Sequence, residues 1–188
     1  MPYPKTHEKV IELVPKIDKD IDIVDLGCGK GEVVRKLKEL EFKNISYCDL
    51  KDNFDGNVKI CDLNNTIPYK SSSFDLVVST EVIEHLENKF LFFSEVKRVL
   101  KRNGVFIFST PNLSNIPNRI LYLITGRFIE FNIKEFPEHK NPFFNWELPR
   151  FFKIEKITYN RGFIPLVRLP FITNKFFGQT VIVKCRLK

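Results

Sequence analysis

The run Asp25-Leu26-Gly27-Cys28-Gly29-Lys30-Gly31 sets glycines at alternate positions directly after an apolar stretch. Glycine lets a strand turn sharply into a helix and lets a ligand approach the backbone with no Cβ between them. Asp25, Gly27, Cys28, Gly29 and Gly31 are therefore candidate ligand contacts. Glu32 stands where a dinucleotide-binding turn places its third glycine, which argues against NAD. Asp49 lies 22 residues beyond Gly27 at the end of the next strand-like stretch, where an acid accepts bonds from both hydroxyls of a ribose. Asp62 ends the stretch after that and suits an adenine amino group. The plain alternative for either aspartate is a turn or cap. Taken with the glycines, the pattern points to an adenosine-bearing cofactor.

A second group is Glu81-Val82-Ile83-Glu84-His85. Its carboxylates and imidazole stand at i, i+3 and i+4, the spacing of one helical face. Three readings stay open. The face acts as a general base, it holds a divalent cation, or His85 is a partly buried residue at a pocket rim.

The elements that must position these residues follow from hydrophobic spacing. Residues 6–14 predict a helix capped by Thr6, and Ile21 to Leu26 a buried strand. A helix runs from about Gly31 to Leu40, and short strands cover Asn44 to Cys48 and Val58 to Cys61. Phe74 to Ser79 reads as a strand. Phe90 to Leu100 reads as a helix closed by Lys97, Arg98, Lys101 and Arg102, and Asn103-Gly104 turns into a strand from Val105 to Ser109. Further on, helical stretches fall near Asn118 to Thr125 and over 145–152. Lys153 to Tyr159 and Thr180 to Leu187 suggest an antiparallel pair at a sheet edge, joined through Pro165, Pro170 and Gly178. The alternation predicts an α/β fold, a mostly parallel sheet with helices on both faces. Only residues 49–57 separate the second and third strands, whereas a parallel crossover takes about a dozen or more. The helix expected there is missing or reduced, which would leave one flank of the pocket thin.

The 188 residues suit one domain: an N-terminal helix within 1–19, a cofactor-binding core over 20–112, a substrate cap over 113–145, and a last helix and hairpin over 146–188. No apolar run approaches the roughly 20 residues of a membrane span. The N-terminus lacks a signal-peptide stretch, and Cys28, Cys48, Cys61 and Cys185 show no metal-binding spacing, so reduced thiols in a cytoplasmic protein are expected. The net charge of +7 is unevenly placed. Residues 1–110 hold 17 Lys+Arg against 18 Asp+Glu, whereas residues 111–188 hold 13 against 5 together with 11 of the 19 phenylalanines. A basic, aromatic-rich segment suggests a side that faces something anionic, although compositional bias gives the same pattern.

VDLGCGKG, then CDL, then CDLNNTIPYKSSSFDLVVSTEVIEHL, then GVFIFSTPN together resemble the class I S-adenosylmethionine-dependent methyltransferases. Within that class the chain is most similar to the ubiquinone-biosynthesis-type and glycan-cluster O-methyltransferases, over residues 20–112. The resemblance implies a seven-stranded Rossmann-like sheet of order 3-2-1-4-5-7-6, with S-adenosylmethionine held by Gly27, Gly29, Asp49, Asp62 and Leu63. It places Ser79 and Thr80 near the methionine part of the cofactor. The short stretch after Asp49 departs from the family at the ribose contact.

Glu-x-x-Glu-His also resembles small-RNA 2′-O-methyltransferases, whose Mg or Mn ion is completed by a later histidine. His139 is the residue here that would join Glu81, Glu84 and His85. The insert Leu113 to Lys140 sits where relatives carry a substrate cap. Its apolar Ile120, Leu121, Leu123, Ile124 and Phe128, flanked by Arg119 and Arg127, read as a lid over the pocket or as an interfacial helix at lipid head groups. Three functions follow: methylation of a hydroxyl on a small or carrier-linked acceptor (a sugar or quinone-like ring), metal-assisted methylation of RNA, or non-catalytic cofactor binding.

Overall fold

The computed structural model describes residues 6–15, 18–131, 138–160 and 174–188. At its centre lies strand β1 (Asp22–Leu26), whose Ile23, Val24 and Leu26 are fully buried. Parallel to it run β2 (Asn44–Asp49) on one side and β4 (Phe74–Thr80) on the other. The two-residue β3 (Lys59–Ile60) continues the sheet beyond β2, and β5 (Leu100–Pro111) continues it beyond β4. Then β7 (Thr180–Arg186) pairs antiparallel between β5 and the edge strand β6 (Lys153–Tyr159). The order is 3-2-1-4-5-7-6, as the resemblance implied.

Helix α1 (Thr6–Leu13) and α2 (Glu32–Glu39) cover one face, where Val10, Leu13, Val33 and Leu37 pack on Ile23, Leu76 and Ile107. The other face is built on α3 (Lys89–Val99), whose cap Asn88 accepts from the Leu91 amide at 3.0 Å. Phe92, Phe93, Phe106, Phe108, Phe143 and Phe152 pack there as one aromatic cluster. Phe143 and Phe152 are thus core, so these two of the C-terminal phenylalanines pack inward instead of facing a partner.

Three expectations shift. Leu100 already pairs with Phe74, so β5 begins five residues before Val105, and Lys101 does not cap a helix. Its ammonium bridges Asp22 and Asp75, at 2.7 Å to each, across the lower ends of β1 and β4. The short helix near residue 145 is a 3-10 turn, Asn145–Arg150. Between Ile83 and His85 the chain makes only a 3-10 turn as well.

The β2–β3 crossover carries no helix, as its length predicted. The flank is not left thin, however. The Phe54 ring packs where a Cβ on Gly31 would stand, edge-on to Tyr47 (centroids 5.6 Å apart) and beneath the Arg35 guanidinium. Asp52 holds this loop by accepting from the amides of Phe54 (3.0 Å) and Val58 (3.2 Å).

Pro165 and Pro170 lie outside the described residues. All four cysteines are buried free thiols, and no helix among the described residues is long and apolar enough to cross a membrane.

Candidate active site

The carboxyl ends of β1, β2, β4 and β5 open into one cleft of about 1030 Å³. At its near end the chain leaves β1 through Gly27, in the left-handed region at φ 80°, and the amides of Gly27 and Cys28 both donate to the Cys48 carbonyl (2.9 and 3.1 Å). A Cβ on Gly27 would stand 2.4 Å from a Val82 methyl, so only glycine lets this turn lie against the end of β4. Gly29 differs. A Cβ there would meet nothing within 4 Å, because the residue faces the cleft. Gly31 does not line the cleft, and its lack of a side chain serves the Phe54 ring instead.

Asp49 anchors the turn, accepting from the Gly29 amide at 2.8 Å and from the Leu50 amide at 2.7 Å. Asp62 borders the cleft while its carboxylate also accepts from Asn64 (amide 2.9 Å, side chain 3.1 Å) and the Asn65 side chain (3.1 Å), so it caps its own turn. Leu63 forms a buried wall. Cys28 lines the cleft, but burial pushes its thiol up to about 12, so it stays protonated.

Two buried polar atoms at this end have no hydrogen-bond partner among the described residues: Asp25 Oδ1 and Thr80 Oγ1. Both residues line the cleft. Burial, with help from the Asp49 charge, raises the Asp25 carboxyl to about 7. An unpaired buried polar atom costs roughly 1–3 kcal/mol, so this end is built for a ligand that brings donors, as an adenosine cofactor with a cationic methionine part does. Ser79 is different. Its hydroxyl donates to the Leu26 carbonyl at 3.0 Å, tying β4 to β1, and it does not reach the cleft.

At the far end, Glu81, Glu84, His85 and His139 all border the cleft, but not as one helical face. Glu81 leaves β4 in the left-handed region, at φ 55°, because its amide donates to the Ser109 carbonyl and so prolongs the pairing with β5. Glu84 is buried and accepts from the Thr110 hydroxyl at 3.2 Å. Burial raises the pKa of both carboxyls, and the Glu81 charge raises that of Glu84 further.

His85 stays at the rim, its Nδ1 2.9 Å from the Glu138 carbonyl. His139 lies against it, ring centroids 4.8 Å apart, with its own Nδ1 on the Glu130 carbonyl. A carbonyl only accepts, so each Nδ1 bears the hydrogen, and in its neutral form the His85 ring keeps its lone pair at Nε2. Burial lowers the His85 pKa and favours that neutral form. The backbone of Lys140 and Asn141 holds this segment by donating to the Glu84 carbonyl (2.8 and 3.1 Å).

The expected metal set of Glu81, Glu84, His85 and His139 is not assembled. Among the described residues no three histidine, cysteine or carboxylate side chains are grouped to hold a metal ion. The carboxylates turn inward to Thr110 and Ser109, while the imidazoles are oriented by carbonyls at the rim.

The cap expectation also changes. Glu130 and residues 138–140 border the cleft, but no residue of the helix at its start does. Leu50, Cys61 and Asn64, inside the quoted CDL and CDLNN runs but not named as contacts, also line the cleft, and so does His7, which no motif contains. His7 reaches it because α1 packs beside α2, a contact with no local signal in the chain.

Residues 24–108 match the family model described as a methyltransferase domain. A probable S-adenosylmethionine-dependent methyltransferase of Mycolicibacterium smegmatis is 31% identical over 143 residues, which cover 71% of this chain and 55% of the relative. A ubiquinone biosynthesis O-methyltransferase of Rickettsia canadensis is 33% identical over 118 residues, covering 56% of this chain and 50% of that one. The chain spans about half the length of these relatives. Among solved structures, a SAM-dependent methyltransferase of Archaeoglobus fulgidus has the same fold, with a TM-score of 0.69 at 19% identity over 95% of this chain and 91% of that one.

Proposed function

Starting from its membership of the class I S-adenosylmethionine-dependent methyltransferases, we propose that this chain methylates a hydroxyl of a small or carrier-linked acceptor, such as a sugar or quinone-like ring. One observation carries the reading: a single cleft joins the glycine turn and the unpaired Asp25 and Thr80 atoms to the His85–His139 pair. The printed name of the Rickettsia relative, an O-methyltransferase, favours oxygen as the methylated atom.

When bound, S-adenosylmethionine supplies a methyl group on a cationic sulfur. Asp49 would accept from its ribose hydroxyls, and Asp25 Oδ1 and Thr80 Oγ1 would pair with polar groups of its methionine part. Alignment supplies most of the acceleration, because sulfur leaves as a neutral thioether. A hydroxyl acceptor must also lose its proton, and His85 takes it at Nε2. The Glu138 carbonyl at His85 Nδ1 holds the ring and stabilises the imidazolium so formed. Metal-assisted methylation of RNA is not carried forward, since the four side chains it needs are not grouped.

Calorimetry with S-adenosylmethionine, followed by transfer of labelled methyl to a panel of hydroxyl-bearing acceptors, tests the proposal. Binding should be abolished in Gly29→Val, whose side chain would fill the cleft. His85→Asn should bind cofactor within about threefold of the parent and lose roughly 100-fold or more in kcat. The parent's activity should rise with pH through a pKa below the ordinary histidine value, and that limb should vanish in the variant. Absence of cofactor binding by the parent would refute the reading; binding without transfer to any acceptor would make the chain a cofactor-binding protein.

A further inference from the structure

Helix α4 (Ile116–Thr125) is packed the wrong way round for a helix in water. Its one buried residue is Asn118, whose side chain donates to the Asn112 carbonyl (3.2 Å) and accepts from the Ile129 amide (2.8 Å). Its apolar side chains face outward: Leu123 is 85% exposed, Ile124 75%, Ile120 53% and Tyr122 51%. The element contains no acid, and exposed Arg119 and Arg127 stand toward its two ends.

This helix is nonetheless firmly held. Asn115 caps its start by accepting from the Asn118 amide at 2.8 Å, and Gly126, at φ 68°, closes its end by donating to the Tyr122 carbonyl at 2.8 Å. At its root, the Asn112 and Asn115 side chains donate to the Gly178 carbonyl (2.9 and 3.2 Å). The chain therefore presents a rigid apolar row, and contiguous exposed apolar surface on a fixed element marks an interaction face.

Charge says what meets it. Residues 111–188 carry 13 basic against 5 acidic residues, while the remainder is nearly neutral. Beside the root of α4 a small pocket of about 260 Å³ is lined by Asn112, Ser114, Arg119, Tyr159, Lys175 and Phe176. Two cations around a small polar hollow suit a phosphate, and the apolar row beside them suits acyl chains. Basic groups next to an exposed hydrophobic face are the pattern of a helix lying in the interface of an anionic membrane.

We propose that α4 docks this protein peripherally on anionic phospholipid bilayers, with Leu123 and Ile124 entering the acyl region and Arg119 and Lys175 at the head-group phosphates. The proposal goes beyond methyl transfer and does not depend on the acceptor.

The test is co-sedimentation of the full chain with vesicles of phosphatidylcholine alone and of phosphatidylcholine mixed with phosphatidylglycerol. Binding should be at least tenfold stronger to the mixed vesicles and should weaken with added salt. Leu123→Glu with Ile124→Glu should reduce it at least tenfold, while the melting temperature and cofactor affinity stay unchanged because these side chains touch neither core nor cleft. Arg119→Glu with Lys175→Glu should erase the preference for the anionic lipid. The proposal is overturned if the parent stays in the supernatant with both vesicles, or if the Leu123/Ile124 variant binds as the parent does. It is equally overturned if ultracentrifugation shows a dimer that this variant dissociates, since a second copy would then cover the face.

Discussion

Folding takes a proton up at Asp25. Its carboxyl is raised to about 7 by burial and by the Asp49 charge, whereas the unfolded chain ionises at an ordinary aspartate value near 4. Between those values the folded state binds more protons, so stability from this group is full below about pH 4 and declines as pH rises to about 7. Asp25→Asn removes the buried charge. It should raise the melting temperature by roughly 2–6 °C near pH 8 and change it little near pH 4, while weakening S-adenosylmethionine binding at least tenfold. Differential scanning fluorimetry across pH reads the first effect and calorimetry the second. An equal shift at both pH values would refute the buried-charge account. The motif could show that Asp25 precedes the glycine turn, but not that its oxygen would be left without a partner.

Among the elements, the crossover between β2 and β3 replaces a helix with a loop and one ring. Phe54 covers Gly31, meets Tyr47 edge-on and lies under Arg35. Phe54→Ala should cost about 1–3 kcal/mol, less than truncation in a sealed core because the ring is partly exposed. Urea unfolding checks this, and cofactor affinity should change less than fivefold because the ring does not line the cleft. The missing helix could be read from the spacing of Asp49 and Val58. That a phenylalanine fills its place could not, since Arg35 and Tyr47 come from two other elements. Likewise, five residues from Glu81 to His85 match a helical face by count, yet pairing of Glu81 with β5 takes them out of helical geometry.

At the scale of the whole molecule, the cleft is shared by segments far apart in the chain: α1 through His7, the β1 turn, the loops after β2 and β3, and the segment around His139. A ligand seated there joins them. S-adenosylhomocysteine at about 100 times its Kd should stabilise the fold by about 2.7 kcal/mol, or roughly 5–10 °C in melting temperature for a chain of this size. A shift below about 2 °C at that saturation would mean that the ligand binds the unfolded chain as well.

What the chain determines by itself is what is local. A glycine turn between neighbouring elements, an acid closing a strand, the alternation of strands and helices and the length of a crossover all depend on residues close together. The adenosine-type site and the α/β layering could therefore be read directly. The tertiary structure decided whatever depends on segments brought together from afar. The His85–Glu138 bond spans 53 residues and the Asn112–Gly178 bond 66. Such contacts turned the proposed metal ligands into an inward-turned carboxylate pair and a rim of two imidazoles. They also left α4 with its leucines and isoleucines outward, because side-chain periodicity marks an apolar row on a helix but not whether protein or solvent lies beside it.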